Sequence, residues 1–183
     1  MNAKFFLTAL FLCLPVTVST QGFAGLGTNA KGFAIPQRGT VLSFPADHRS
    51  HPNFRIEWWY LTANLKDRNG RDYGVQWTLF RTALRLGDRV GWSSPQVWMG
   101  HAGLTTPEIH HFDERLARGG IGQAGVSTQP FTAWIDNWVL NSPDETLQNL
   151  TVTSSSEFFA YDLSMRAHGP LVLHGDNGYS VKS

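Results

Sequence analysis

Four side chains able to move a proton crowd one stretch of the chain, "FPADHRSHPNFRIEWWY", in which Asp47, His48 and His51 precede Glu57. A carboxylate beside imidazoles suits general acid–base work, because histidine changes charge near neutral pH. Two nitrogens and one oxygen are also a partial zinc set. The spacing matches no zinc motif and brings no distant donor, so neither a metal nor another cofactor is expected. The structural alternative keeps Asp47 as an Asx-turn acceptor in a proline-flanked loop. Glu57 has two roles open: a catalytic acid, or a structural partner for Arg81 or Arg55. A further acid, Asp136, lies in "FTAWIDNWVL". Strand alternation there places Trp134, Asp136 and Trp138 on one face, a carboxyl group between two indoles. Burial would keep such a group neutral and able to donate a proton; the alternative is a turn or surface acid. Asp136, Glu57 and His48 are therefore the candidate catalytic residues. No serine stands in a G-x-S-x-G context, so a nucleophile-elbow esterase has no support.

These groups must be positioned by strands. Apolar runs at 41–44, 54–65, 73–84, 96–105, 131–140, 150–153, 158–166 and 171–173 alternate with turn signals, the spacing of an all-β sandwich or barrel. Residues 108–118 have a weak helical look, and 119–125 form a glycine-rich connection. Asn69-Gly70 lies between two strand patterns and signals a two-residue type I′ hairpin. That turn sets Arg68 against Arg71, Trp58 against Arg81, Tyr60 against Leu79 and Thr62 against Trp77. Trp58 would then lie over Arg81 as a cation–π pair. A single bulge near Trp58-Trp59 would instead bring Glu57 and Arg81 to one side. Adjacent strand residues point to opposite faces, so Trp58 and Trp59 cannot serve one core. A closed, antiparallel barrel with an occupied interior and a covered exterior meets that demand. Its candidate ligand contacts are Trp58, Trp59, Tyr60, Gln76, Trp77, Arg81, His101, Trp134 and Trp138. His101 shares a face with Val97 and Met99, where a hydrogen-bonded core histidine is the competing reading.

Bulk properties narrow the field. The 183 residues are 42% hydrophobic with a formal charge of +1, enough for one full core and too neutral for a nucleic-acid footprint. Met1 to Lys4 give a short basic start, and 5–18 form an apolar run of signal-peptide length. The chain divides into a signal peptide at 1–20, a linker or N-terminal arm at 21–39, and one domain at 40–183. Cleavage would leave no stable membrane span. Cys13, the only cysteine, lies within that leader, so the mature chain would hold no disulfide. Export to the periplasm or beyond the cell, in a bacterial envelope, is the expected location.

The segments "FPADHRSHPNFRIEWWYLTANL", "GVQWTLFR", "HAGLT" and "GDNGYSVKS" resemble the CrtC/AttH family, which includes carotenoid hydratases and secreted proteins predicted to be hydrolases. The resemblance spans about 41–183. It implies a lipocalin-like β-barrel, the first of two such domains in a longer chain, so that the second domain is an expected partner. It also implies an elongated apolar ligand such as a polyene, lipid or ester, acted on by hydration or hydrolysis. Alkene hydration would need a neutral carboxylic acid and aromatic walls that tolerate a cation. A non-catalytic carrier of an apolar ligand is the alternative, and a scaffold whose core is plugged by its own tryptophans is a third possibility.

Overall fold

The computed structural model describes residues 31–181. The leader expected at 1–20 and the first part of the arm lie outside the described residues. Nine strands follow: β1 (Ile56–Lys66), β2 (Asp72–Ala83), β3 (Gln96–Thr105), β4 (His110–Arg118), β5 (Ala124–Thr128), β6 (Phe131–Ile135), β7 (Trp138–Ser142), β8 (Asn149–Ser155) and β9 (Ala160–Arg166). They form two antiparallel meanders, β1-β2-β3-β4 and β5-β6-β7-β8-β9. The all-β, lipocalin-like class expected from the sequence is therefore present, but as two facing sheets and not as the closed barrel expected. Among the described residues no ladder joins β4 to β5 or β9 to β1.

The β1–β2 turn departs from the expected one. Asp67 Oδ1 accepts the backbone N–H groups of Asn69 (2.8 Å) and Arg71 (2.9 Å), and the Asp67 N–H donates to the Arg71 carbonyl at 3.0 Å. The loop thus holds three residues, 68–70, with Gly70 at φ +82°, the left-handed position that a three-residue hairpin gives to glycine. One extra loop residue slips the register by one and exchanges every facing pair. Glu57 now opposes Arg81, Trp58 opposes Phe80, Trp59 opposes Leu79 and Leu61 opposes Trp77. The expected Trp58–Arg81 stack does not form.

Five further expectations are corrected. Residues 110–118 form a strand where a weak helix was expected. The run 131–140 is two strands, with Ile135 paired to Trp138 across a tight turn at Asp136-Asn137. The glycine-rich connection gives way to β5 at Ala124, while 41–44 and 171–173 are not strands.

The space between the sheets is filled by the protein's own side chains. Trp77 and Leu79 from β2 and Trp98 and Ala102 from β3 pack with Ile135, Trp138, Leu140 and Val152. Gly100 lets the sheets come this close, since a Cβ there would lie 2.7 Å from Ile135 Cγ2. Two polar latches cross the gap. Arg115 of β4 lies over the Trp138 ring at 4.2 Å and donates to the Ser155 carbonyl, and the Tyr161 hydroxyl donates to the Gln76 carbonyl at 2.8 Å. The outer face of the first sheet carries an apolar row. Trp58, Phe80, Met99 and Leu116 stand in one row across all four strands, with Trp58 half exposed and Leu116 exposed.

Candidate acid–base site

The loop before β1 folds back over the strand's first residues. A single 3-10 turn at Ala46–His48 is held by Asp47, whose Oδ2 accepts the Ser43 N–H at 2.5 Å. That backbone bond and the contact with His51 hold the Asp47 carboxyl below the usual aspartate range. Trp59 ties the loop to the sheet, donating from Nε1 to the His48 carbonyl at 2.9 Å. Its indole is inward and stacks on Trp98 with centroids 5.9 Å apart. Trp58 looks the other way. The doubled indoles therefore divide between the two sides of the wall.

Glu57 is inward, like Trp59, and lies at the centre of a chain of charged groups. Its Oε1 meets His51 Nδ1 at 2.6 Å, and its Oε2 accepts the His51 N–H and Arg81 Nε, both at 2.7 Å. His51 Nε2 lies 3.2 Å from Asp47 Oδ1. The imidazole is thus bracketed by two carboxylates. Glu57 acts as an acceptor toward Arg81 and the backbone, so the proton of its short contact with His51 belongs to Nδ1. Nε2 faces the Asp47 carboxylate, so each ring nitrogen meets a carboxylate oxygen.

Arg81 is the hub that fixes Glu57. It is 1% exposed and uses four of its N–H groups: Nε to Glu57, Nη1 to Gln96 Oε1 at 2.6 Å, and Nη2 to the carbonyls of His51 (2.8 Å) and Phe54 (2.7 Å). A buried guanidinium is tolerated only when paired and bonded in this way. Asp47, Arg49, His51, Glu57, Trp58 and Trp59 line a groove of about 320 Å³ open to solvent. An acid–base centre beside an exposed indole can bind an apolar group and exchange a proton with it or with water.

The other sequence candidates lie elsewhere. His48, a neighbour of the cluster in sequence, turns away from it. Its ring packs 4.6 Å from Phe44 and 5.9 Å from Phe131, and burial pushes its pKa down, with Asp47 opposing. Asp136 occupies the β6–β7 turn at φ +52° and accepts Gln123 Nε2 at 3.1 Å. Trp134 faces outward and donates to the Gly122 carbonyl, whereas Trp138 is fully buried. The expected acid between two indoles on one face is not formed, because the turn inserted at 136–137 separates the strands. Trp77 is buried in the core. Tyr60, Gln76 and His101 lie on the outer face, where His101 meets Phe80 at 5.3 Å and Glu114 at 3.8 Å. Among the described residues no group of three or more His, Cys, Asp or Glu is arranged to hold a metal ion.

Comparison with known proteins places this architecture. A crystal structure of a candidate AttH protein from Nitrosomonas europaea superposes with a TM-score of 0.63 at 29% identity, over 81% of this chain and 44% of that one. The chain therefore spans less than half the length of that relative. No curated protein matches the sequence. The AttH-like family model matches residues 35–183, which takes in the Asp47–His51–Glu57 cluster and every strand. The chain belongs to the AttH-like family.

Proposed function

We propose that the chain is the acid–base domain of an exported hydrolase or hydratase acting on a hydrophobic substrate. The observation that carries this is the His51 imidazole, held between Glu57 and Asp47 at the edge of a groove walled by Trp58 and Trp59. A side chain oriented by one carboxylate through Nδ1, with Nε2 directed at a second on the groove, is built as a base once Nε2 exchanges its Asp47 contact for one with water. That favours hydrolysis of an ester-type bond over hydration of an isolated alkene, which needs a neutral acid to protonate carbon. Glu57 is a poor donor for that purpose, because its oxygens already accept from Arg81 and the His51 backbone. In the hydrolytic step Nε2 takes a proton from water as the water oxygen bonds to the acyl carbon. The departing alkoxide oxygen recovers that proton when its bond to the carbon breaks.

A carrier that holds its ligand between the sheets is less well supported, since that space is filled by Trp77, Trp138 and Ile135. The ligand belongs to the surface groove. The row Trp58–Phe80–Met99–Leu116, exposed at Trp58 and Leu116, supports packing against the further domain expected in a longer chain, as contiguous apolar surface marks a contact face. The short basic start followed by the apolar run at 5–18 supports action in the bacterial envelope.

The test is mass spectrometry of lipophilic compounds extracted from the full-length protein, followed by turnover of the compound found. Wild type is expected to carry a compound that Trp58→Ala lacks, and His51→Gln is expected to bind it without converting it. A wild-type extract identical to an empty control, or full turnover by His51→Gln, overturns the assignment.

A further inference from the structure

A second cavity lies at the other end of the Arg81 guanidinium, where the start of β3 meets β5 and β6. It has a volume of about 210 Å³ and is lined by Arg81, Arg89, Gln96, Trp98, Val126 and Trp134, among others. That is ample for a ligand of a few heavy atoms. Its floor carries an unmet hydrogen-bonding demand. Gln96 is 7% exposed, and its Nε2 is buried without a partner. The orientation of this amide is dictated by its neighbour. Gln96 Oε1 accepts from Arg81 Nη1 at 2.6 Å, and a flipped amide would set two donors against each other. Both Nε2 protons are therefore unused donors. A buried donor left unpaired costs about 1–3 kcal/mol, so a bound acceptor would relieve a standing penalty.

The remaining walls define what that acceptor is attached to. Trp98 and Val126 offer apolar surface, and the Trp134 indole N–H is already engaged with the Gly122 carbonyl. Of the charged groups that line the cavity, Arg81 is paired with Glu57 at 2.7 Å and Arg89 is offset in formal charge by Asp88, so net charge selects neither sign. The geometry points to a binding site for a short acyl group, whose carbonyl or carboxyl oxygen accepts from Gln96 Nε2 while its chain lies on Trp98 and Val126. This site stands on the unpaired amide and does not depend on the role proposed for His51.

The experiment is a titration of the 15N-labelled 183-residue chain with hexanamide, hexanoate and hexylamine, read at the Gln96 side-chain NH2 resonances. Hexanamide and hexanoate should shift them saturably, and hexylamine, which lacks an acceptor oxygen, should not. Gln96→Glu keeps an oxygen for Arg81 but removes both N–H donors, and should weaken hexanamide binding by about tenfold. An amide that neither acyl probe shifts and that shows contacts only to a long-lived water would overturn the assignment. So would unchanged affinity in Gln96→Glu. Should that variant fail to fold, the comparison of the three probes on wild type decides alone.

Discussion

Removing Arg81 tests the hub on which the acid–base cluster is built. In Arg81→Met the methylene stem is largely replaced, so the loss is polar: four hydrogen bonds vanish, leaving Glu57, the Gln96 oxygen and two loop carbonyls without their donor. Glu57 is only 15% exposed, and water cannot fully replace the guanidinium around it. Breaking a buried ion pair from one side costs ~3–5 kcal/mol, mostly through the charge left behind. With a urea m value of ~2 kcal/mol per M, the unfolding midpoint should fall by ~2 M. The double variant Arg81→Met with Glu57→Met removes the stranded charge and should recover ~1–3 kcal/mol of that loss as coupling. Equilibrium urea unfolding followed by tryptophan fluorescence measures both. A single variant within ~1 kcal/mol of wild type, or two losses that simply add, would refute the hub.

Gly100→Ala places a Cβ 2.7 Å from Ile135 Cγ2, and this overpacking should cost ~1–3 kcal/mol in the same urea assay. His48 is held neutral by burial, its folded pKa lying below the unfolded 6.5. The stability this supports is complete above pH 6.5 and is lost as pH falls through the lower folded value. His48→Phe, which keeps the ring between Phe44 and Phe131, should flatten that part of the pH–stability curve; an unchanged curve would remove His48 as its source. The Asp47 carboxyl is likewise depressed from 3.8, so its contribution is present above that value and disappears as acid protonates it in the folded state. Asp47→Asn should abolish that acid limb. Asp144 in the β7–β8 loop is held to about 2, first by Thr146 and then by Asn149, and a carbon-detected NMR titration should find its midpoint there.

The division of the doubled indoles was legible because strand alternation is a local rule that Trp58 and Trp59 had to obey. The turn at Asn69-Gly70 was equally visible, but not its length. The third loop residue is secured by the Asp67 side chain, and competition between two turn types with the same dipeptide is decided by such side-chain bonds. That one residue determines that Glu57, not Trp58, faces Arg81. Strand β4 was hidden because its large apolar residues, Phe112 and Leu116, lie on the exposed face, while Asp113, Arg115 and the small Ala117 point inward. Its pattern is the inverse of a half-buried strand. The break in 131–140 was hidden because Asp136-Asn137 carries no glycine to mark the left-handed position. In the cluster itself, sequence proximity pointed to His48 as readily as to His51. The choice between them depends on which ring the 3-10 turn directs into the groove, a property of the folded loop. Gln96 gave no signal, since its significance comes from Arg81 lying beside it across the sheet.

The most direct test of the acid–base centre is the protonation pattern of the His51 ring, read from two-bond 1H–15N correlations on the isotopically labelled protein. A proton resident on Nδ1, shifted downfield by its short bond to Glu57, is the expected result. A bare Nδ1 with the proton confined to Nε2 would mean that Glu57 does not orient the ring, and the proton-transfer account would be contradicted at its source.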